Sequence, residues 1–287
     1  MKKKSILDFI QMKEDGEKVA WMTAYDYPMA SFSEQAGLDM ILVGDSLGMI
    51  VLGYKDTIPV TMEESIIHCQ AVRRGAPNTF IIGDMPFGSY QISPEVAAAN
   101  AIRFLKEANV DAIKLEGGIR VCEQIQAIAE SGIVVFGHIG LTPQSSGVQG
   151  GFKAQGRTVE SARAVIDDAI AVEKAGAMAL LVEGVPSEVT SFITKVINIP
   201  VYSIGAGIDC DGQLLICGDM LGMFQEFTPK FVKKYANIAE VAVQGIKDYI
   251  SDVKTLKFPE DKHCYHIKDS EDAFDKLFEE YELSALK

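Results

Sequence analysis

The segment Pro94-Glu-Val-Ala-Ala-Ala-Asn-Ala-Ile-Arg-Phe-Leu-Lys-Glu-Ala108 and the shorter run Ala112-Ile-Lys-Leu-Glu116 together show the unit from which this chain is built. In the first segment apolar residues recur with a helical period, Ser93 is placed to cap the helix, and Pro94 suits its first position. The second segment is a short apolar run ended by Gly117-Gly118, which predicts a buried strand. A helix followed by a buried strand is typical of a parallel sheet.

The same alternation continues along most of the chain. A second helical pattern, Ser161–Ala175, is ended by Gly176. The strand candidates are Val19–Tyr25, Met40–Gly44, Thr79–Asp84, Ala112–Glu116, Val134–His138, Ala179–Glu183, Val201–Ile204 and, less clearly, Leu214–Cys217. Seven or eight such units in about 250 residues predict an α/β fold of the (β/α)₈ TIM-barrel type. The rival is a doubly wound open sheet, but Gly205-Ala-Gly207 follows a late strand rather than the first, which disfavours a Rossmann form.

Two parts of the chain stand apart from this alternation. The Gly-, Gln- and Ser-rich segment Gly140–Gly156 is too long for a simple turn and is interpreted as a loop over a site. We expect residues 1–260 to form a single catalytic barrel and residues 261–287 to form an acidic, helical C-terminal extension. Phe274, Leu277, Phe278 and Tyr281 keep helical spacing there and predict an amphipathic helix that docks on the barrel or on a partner subunit.

Composition limits the class of protein. The 287 residues carry a formal net charge of −13, which argues against nucleic-acid binding. The five cysteines form no CxxC pair, which favours a reducing cytosol, and no apolar run approaches the roughly 20 residues of a membrane span. We therefore expect a cytoplasmic protein that binds neither nucleic acid nor membrane.

Polar residues close strand after strand. They are Asp45, Asp84, Glu116, His138 and Glu183. In a parallel barrel these strand ends meet at one mouth, where such enzymes carry their chemistry. Strand alternation supports an inward direction, because Val43 and Asp45 are expected to share a face, as are Ile82 and Asp84, Val134 and His138, and Leu181 and Glu183.

Each of these residues also has an ordinary structural interpretation. Asp45, followed by Ser46, could cap a helix, and Asp84 before Met85-Pro86 could form a turn. Glu116 could be a solvated loop residue and His138 a hydrogen-bonded core residue. The recurrence at five strand ends favours the joint functional interpretation over five separate coincidences.

Converging carboxylates repel one another unless they take up protons or bind a cation. One or two carboxylates with water suit Mg²⁺, which prefers oxygen ligands. Lys114 beside such an ion would suit the carboxylate of a 2-oxo acid, although an internal ion pair between Lys114 and Glu116 is the alternative. The run His263-Cys264-Tyr265-His266 lacks the spacing of a zinc site.

Longer motifs across residues 5–260 closely resemble the ketopantoate hydroxymethyltransferase family. They are Thr23-Ala-Tyr-Asp-Tyr27, Leu42-Val-Gly-Asp-Ser-Leu-Gly-Met49, Pro59-Val-Thr61, Val72-Arg-Arg-Gly-Ala-Pro77, Gly83-Asp-Met-Pro-Phe87, Lys114-Leu-Glu-Gly-Gly118, Gly137-His-Ile-Gly-Leu-Thr-Pro-Gln144, Gly150-Gly-Phe-Lys-Ala-Gln-Gly156 and Gly205-Ala-Gly207. The resemblance implies a barrel of the phosphoenolpyruvate/pyruvate superfamily. It also implies a transferase of pantothenate biosynthesis that moves a hydroxymethyl group from 5,10-methylenetetrahydrofolate to 2-oxoisovalerate with Mg²⁺. It further implies a homo-oligomer, with a decamer expected from the family.

The resemblance also assigns roles by motif. Asp45 and Asp84 would ligate Mg²⁺ directly, and Glu116 would hold the ion through water. Ser46 and Lys114 would bind the oxo acid together with the two aspartates, and Glu183 would be the base. His138 receives no firm role.

Two rival functions stay open from the sequence. A Mg²⁺-dependent 2-oxo-acid lyase or phosphomutase of the same superfamily would share the carboxylates, but such enzymes usually carry a reactive cysteine motif that this chain lacks. A catalytically inactive barrel that serves as a scaffold would be expected to lose one of the site residues, and all of them are present.

Overall fold

Eight parallel strands close into a barrel in the order in which they follow along the chain. In the computed structural model, which describes residues 3–285, they are β1 (Val19–Thr23), β2 (Met40–Val43), β3 (Phe80–Asp84), β4 (Ala112–Glu116), β5 (Val135–Gly140), β6 (Ala179–Glu183), β7 (Val201–Ile204) and β8 (Gly212–Leu215). The ring is completed by β1 and β8, where Val19 pairs with Gly212. The (β/α)₈ barrel is thereby confirmed, and the open doubly wound sheet is excluded.

Helices connect most of the successive strands, and others precede β1 or follow β8. They are α1 (Ile6–Asp15), α2 (Tyr27–Gln35), α3 (Leu47–Ile50), α4 (Met62–Gly75), α5 (Pro94–Ala108), α6 (Cys122–Glu130), α7 (Ser146–Gln149), α8 (Val159–Lys174), α9 (Ser187–Val196), α10 (Cys217–Met220), α11 (Ile238–Lys254) and α12 (Glu271–Ala285). Short 3₁₀ turns occur at Ile119–Val121, Pro143–Ser145 and Asp261–His263. Two of these elements, the turn at Pro143–Ser145 and α7, lie inside the segment that was expected to be a loop over the site.

Local signals explain where the helices begin. The Ser93 hydroxyl accepts from the Val96 amide at the start of α5, as its sequence predicts. Helix α8 begins at Val159, two residues before the predicted segment, because the Thr158 side chain caps it. These caps satisfy amide groups that the first turn of a helix leaves without partners.

The apolar side chains form two layers. One fills the barrel interior, where the rings of Trp21 and Tyr202 lie 5.4 Å apart. Helix α1 closes the N-terminal end of this layer, since Phe9 is fully buried with its ring 5.2 Å from that of Phe80. The second layer packs the outer faces of the strands against the helices. The polar residues at the strand ends therefore meet at the opposite, C-terminal mouth.

Several expectations about the strands were wrong in detail. Strand β1 ends at Thr23 rather than Tyr25, and β5 ends at Gly140 rather than His138. Strand β8 begins at Gly212 and ends at Leu215, two residues earlier than predicted, because α10 begins at Cys217, whose amide donates to Thr23 Oγ1. Val43 does not share an inward face with Asp45. It packs in the outer layer, while Leu42 lies in the interior. Asp45 enters the mouth because β2 ends at Val43 and the chain turns at Gly44.

The chain divides into two units, one that ends at Asn237 and one that begins at Ile238. The first contains the barrel. The second contains α11 and α12, so the predicted C-terminal helix is present. The domain boundary expected near residue 260 and the docking of the tail stay predictions. Among the described residues, no helix is both long and apolar enough to cross a membrane.

Candidate active site

Four of the predicted site residues lie on adjacent strands at the C-terminal mouth. Asp84 closes β3 in register with Lys114 of β4. Glu116 closes β4 in register with His138 of β5. Since residues in register on parallel strands are neighbours across the sheet, the backbone alone brings these side chains together. All four are at most 3% exposed.

Asp45 joins them from the turn after β2. Its backbone amide donates to Asp84 Oδ2 at 3.1 Å, and its side chain is 4% exposed. A Cβ at Gly44 would lie 2.8 Å from Ser46 Oγ, so a side chain there would displace the Ser46 hydroxyl. Asp45 therefore does not cap a helix through its side chain, and the functional interpretation is favoured.

Lys114 is the cation at the centre of the cluster. Its Nζ lies 2.8 Å from Asp84 Oδ1 and 3.8 Å from Glu116 Oε1. The Lys114–Glu116 ion pair, which was the alternative interpretation of Lys114, is thus the longer contact, and Asp84 is the closer partner. Burial lowers the pKa of the ammonium group, but the carboxylates of Asp84 and Glu116 raise it more, so the net change is upward. Lys114 stays charged.

The carboxylates outnumber this cation. Burial raises the pKa of Asp45 and of Asp84 to about 6 and that of Glu116 to about 7, and Lys114 opposes the increase at each. Neighbouring carboxylates add to it, since like charges disfavour ionisation. The cluster is therefore short of positive charge near neutral pH.

His138 and Glu183 form a second contact at the same mouth. His138 Nε2 lies 3.3 Å from Glu183 Oε2, and Lys114 Nζ lies 3.2 Å from His138 Nδ1. Burial and the ammonium group of Lys114 lower the pKa of His138, so the ring is neutral. Burial raises the pKa of Glu183. The side chain of Glu183 is 15% exposed, against 2% for Asp84 and Glu116, so the carboxylate of Glu183 is the most solvent-accessible of these three.

Ser46 lies at the edge of this cluster. Its hydroxyl forms a 2.8 Å hydrogen bond with that of Tyr25, which is buried at the end of β1. All the site residues predicted from the sequence therefore occur at this mouth.

Sequence reasoning missed Gln144. This buried residue follows β5, and its Nε2 donates to Asp45 Oδ2 at 2.9 Å. No signal marks a neutral glutamine inside a Gly- and Gln-rich loop, except that it closes the motif Gly137-His-Ile-Gly-Leu-Thr-Pro-Gln144.

The donor set fits a divalent cation in composition. Within residues 3–285, no three His, Cys, Asp or Glu side chains are grouped closely enough to hold a metal by themselves. A pair of carboxylates with a third reaching through water does not require such a trio, and Mg²⁺ usually keeps several waters. The shortage of positive charge beside Asp45, Asp84 and Glu116 is the observation that favours a cation.

Comparison with known proteins identifies relatives over nearly the whole chain. The model of the family described as ketopantoate hydroxymethyltransferase matches residues 3–261. The 3-methyl-2-oxobutanoate hydroxymethyltransferase of Alkaliphilus metalliredigens is 67% identical over 280 residues, which cover 98% of this chain and 99% of that protein. The protein of the same name from Bacillus subtilis is 52% identical over 264 residues, covering 92% and 95%.

Solved structures share the fold at low identity. Phosphonopyruvate hydrolase in complex with oxalate and Mg²⁺ aligns with a TM-score of 0.60 at 13% identity, covering 99% of this chain and 100% of that one. A 2,3-dimethylmalate lyase, named as a member of the PEP mutase/isocitrate lyase superfamily, aligns with a TM-score of 0.56 at 15% identity, covering 98% of each chain. These likenesses concern the barrel, whereas the sequence matches extend through the motifs of the mouth. The chain belongs to the ketopantoate hydroxymethyltransferase family.

Proposed function

We propose that this chain transfers a hydroxymethyl group from 5,10-methylenetetrahydrofolate to 2-oxoisovalerate (3-methyl-2-oxobutanoate), giving ketopantoate in the first committed step of pantothenate biosynthesis. Family membership supports the overall reaction. One structural observation carries the chemistry. A carboxylate with a raised pKa, Glu183, lies within the same mouth as a buried ammonium group and a carboxylate cluster short of positive charge.

The proposed metal is Mg²⁺, with Asp45 and Asp84 as direct ligands and Glu116 reaching it through water. When bound, Mg²⁺ would polarise the 2-oxo group and stabilise the negative charge that develops on the oxo acid. The Asp84 carboxylate that would ligate the ion already accepts a hydrogen bond from the Asp45 backbone amide at its Oδ2. That hydrogen bond keeps the two aspartates adjacent.

Lys114 is proposed to bind the carboxylate of the oxo acid. The chain as a whole has a net charge of −13, so an anionic substrate needs a local cation. The Lys114 ammonium is held by Asp84 on one side and by His138 on the other, which fixes its position before substrate arrives. Ser46, oriented by Tyr25, would donate a further hydrogen bond.

Glu183 is proposed to remove the proton from C3 of the oxo acid. A carboxylate base works best when its pKa approaches the working pH, and burial moves Glu183 in that direction. The C3–H bond breaks, its proton passes to Glu183, and its electron pair forms the enolate. The enolate carbon bonds to the one-carbon unit, and both carbon–nitrogen bonds that join this unit to the folate break. One water is consumed overall: its oxygen becomes the hydroxyl oxygen, its two hydrogens remain on the nitrogens of tetrahydrofolate, and the proton taken up by Glu183 completes the hydroxyl group. The segment Gly140–Gly156 would limit the access of water to this step.

The lyase or phosphomutase alternative has weaker support. The solved structures with such activities are only 13–15% identical to this chain, and a likeness at that level concerns the fold alone. Relatives with the transferase name are 67% and 52% identical. The inactive scaffold is disfavoured because the predicted site residues converge rather than disperse.

The experiment measures proton exchange at C3. Proton NMR monitors 2-oxoisovalerate in D₂O with the protein and Mg²⁺, first without and then with tetrahydrofolate. We expect the C3 hydrogen signal to disappear, and Glu183→Gln to slow its loss by about 10²- to 10⁴-fold, the usual contribution of a general base. Persistence of the signal with tetrahydrofolate present would contradict the proposal and turn attention to the lyase.

The remaining expectations come from composition and, for the assembly, from family resemblance. We propose a cytoplasmic homo-oligomer, with a decamer as the expected state, acting on small molecules and binding neither nucleic acid nor membrane. Size-exclusion chromatography with light scattering would test the assembly.

A further inference from the structure

Gln144 contacts two of the three clustered carboxylates from a loop that otherwise lies outside the strands. It belongs to the 3₁₀ turn Pro143–Ser145, is 5% exposed, and lies 99 positions along the chain from Asp45. Its backbone amide donates to Glu116 Oε2 at 3.0 Å, and its side-chain Nε2 donates to Asp45 Oδ2 at 2.9 Å. A single residue thus links the ends of β2 and β4 to the loop that follows β5.

The side-chain amide of Gln144 is fixed in one of its two flipped orientations. Nε2 also donates to the Met85 carbonyl at 3.0 Å, and a carbonyl can only accept. On the other side, Oε1 accepts from the Tyr90 hydroxyl at 2.6 Å and from Gln91 Nε2 at 3.2 Å. Both donors and the acceptor oxygen are therefore used, which orients the amide hydrogens towards Asp45.

This contact has a consequence for the two oxygens of Asp45. Because Gln144 holds Oδ2, Oδ1 is the oxygen of Asp45 that Gln144 leaves uncontacted, and the carboxylate presents that oxygen in one orientation rather than two. The backbone contact acts in the same way on Glu116, where Oε2 is held and Oε1 lies towards Lys114 at 3.8 Å. Hydrogen bonds of this kind, made to metal-ligating groups by their neighbours, orient the ligands.

We propose that Gln144 is a positioning residue that couples the loop after β5 to the divalent-cation site, so that the site is fully formed only when Gly140–Gly156 is folded as it is here. This inference rests on the proposed function for the identity of the carboxylates as ligands. Because coupling between two equilibria is reciprocal, a bound cation must stabilise the folded loop by the same factor by which the folded loop strengthens cation binding.

The loop offers a matched control. Gln149 Nε2 donates to the Gly140 carbonyl and to Thr142 Oγ1, both at 3.0 Å, and its Oε1 accepts from the Thr142 amide at 3.2 Å. The Gln149 side chain thus makes three hydrogen bonds, against four for Gln144, and lies in the same loop. Its contacts are to the loop itself and not to the carboxylates. Loss of loop stability alone would follow from either substitution, whereas loss of ligand orientation would follow only from substitution of Gln144.

The test measures cation binding directly, with Mn²⁺ titrated by electron paramagnetic resonance in the absence of substrates. Gln144→Met keeps the length of the side chain and the backbone contact to Glu116 but removes the amide. We expect it to raise the Mn²⁺ dissociation constant by about 10- to 100-fold, the usual effect of removing a group that orients a metal ligand. The Mn²⁺ dissociation constant of Gln149→Met should be within about twofold of that of the unsubstituted protein, since the contacts of Gln144 with Asp45 and Glu116 remain.

The reciprocal effect is measured by limited trypsin digestion. Lys153 and Arg157 are exposed cleavage sites within and directly after the loop. We expect Mn²⁺ to slow cleavage there in the unsubstituted protein, and this protection to be lost in Gln144→Met even at a saturating concentration of Mn²⁺. Near-ultraviolet circular dichroism reports whether each variant is folded. If Gln144→Met does not fold, Tyr90→Phe tests the same point more mildly. It removes one of the two donors to Gln144 Oε1, together with the hydrogen bonds between the Tyr90 hydroxyl and the Glu116 backbone, and should weaken Mn²⁺ binding less.

The outcomes separate this inference from the proposed function. Equal Mn²⁺ affinity in folded Gln144→Met and in the unsubstituted protein would overturn the positioning role and leave the metal site intact. Equal weakening by Gln149→Met would also overturn it, since the effect would then belong to the loop as a whole. Failure of the unsubstituted protein to bind Mn²⁺ would overturn the metal site, and the inference with it.

Discussion

The ammonium group of Lys114 lies 3.2 Å from Nδ1 of His138 on the neighbouring strand. A lysine ammonium can only donate, so Nδ1 accepts and carries no proton. The proton of the neutral imidazole is therefore on Nε2, the nitrogen that lies 3.3 Å from Glu183 Oε2. This arrangement links the group proposed to bind substrate with the group proposed to act as the base.

Substitution of His138 should distinguish its two nitrogens. His138→Gln can place an amide donor near Glu183, whereas His138→Asn is too short to reach it. We expect His138→Asn to slow C3 proton exchange by about 10- to 100-fold, corresponding to the loss of a polar contact with a charged group, and His138→Gln to slow it less. Equal rates in the two variants would show that the contact with Glu183 does not support the base.

Asp84→Ala should abolish metal-dependent turnover while the barrel stays folded. The substitution removes a proposed ligand and the closest partner of Lys114. The control is Asp211→Asn at the opposite end of the barrel, where the carboxylate accepts from Lys13 Nζ at 3.0 Å and from the Val201 amide at 2.8 Å. We expect the control to lose stability by about 1–3 kcal/mol but to keep its metal-dependent turnover. Near-normal turnover of Asp84→Ala in excess Mg²⁺ would remove the proposed metal site.

The stability of the metal-free protein should fall as pH rises. Burial raises the folded-state pKa of Asp45 and Asp84 from 3.8 to about 6, and that of Glu116 from 4.5 to about 7. The folded chain therefore binds these protons more tightly than the unfolded chain. The resulting stabilisation is present below the unfolded pKa values and is lost as pH rises through the folded values.

Thermal unfolding of the metal-free protein between about pH 5 and about pH 7.5 would measure this loss, which we expect to be of the order of 2 kcal/mol per group. Asp45→Asn removes one titrating group and should give a shallower dependence. Addition of Mg²⁺ should raise the melting temperature more at the higher pH, because the ligands must be deprotonated. If the pH dependence of stability were unchanged in Asp45→Asn, Asp45 would not be one of the groups that titrate in this range.

Gly137→Ala should destabilise the barrel although alanine is a small residue. A Cβ at position 137 would lie 2.3 Å from Val172 Cγ1 of α8. Overpacking of this kind typically costs about 1–3 kcal/mol. Gly147→Ala is the matched control, because a Cβ there meets nothing within 4 Å. Chemical denaturation of both variants would measure the difference, and equal stabilities would show that α8 moves freely away from β5.

Strand positions were predictable wherever apolar runs are bounded by strong signals. The bounds of β4, β6 and β7 agree with those expected, since each is an apolar run that ends at a charged or glycine-rich turn. Strand β8 was displaced because its polar start, Gly212-Gln213, lacks the apolar character expected of a strand. It is held instead by pairing with Val19 and Ala20 of β1, a contact between residues far apart in the sequence.

The site was predictable for residues whose strand fixes their direction. Asp84, Glu116, His138 and Glu183 follow from alternation along a strand. Asp45 reaches the mouth through a turn, so alternation gave the wrong partner for it. Gln144 could not be found, because a glutamine has no titratable group and its contacts depend on the conformation of a loop. Direction along a strand is a local property, whereas the conformation of a long loop is not.

The pairing of β1 with β8 sets a condition on how the protein is made. Val19 and Gly212 are neighbours in the closed ring, although nearly the whole barrel separates them in the sequence. While the chain is being synthesised, β1 to β7 can associate, but the sheet keeps two open edges until β8 has left the ribosome. Open strand edges pair readily with other chains, and contacts between distant residues form slowly. The nascent barrel is therefore most prone to aggregation just before its last strand emerges, and a ribosome that stalls at that point would release a chain with both edges exposed.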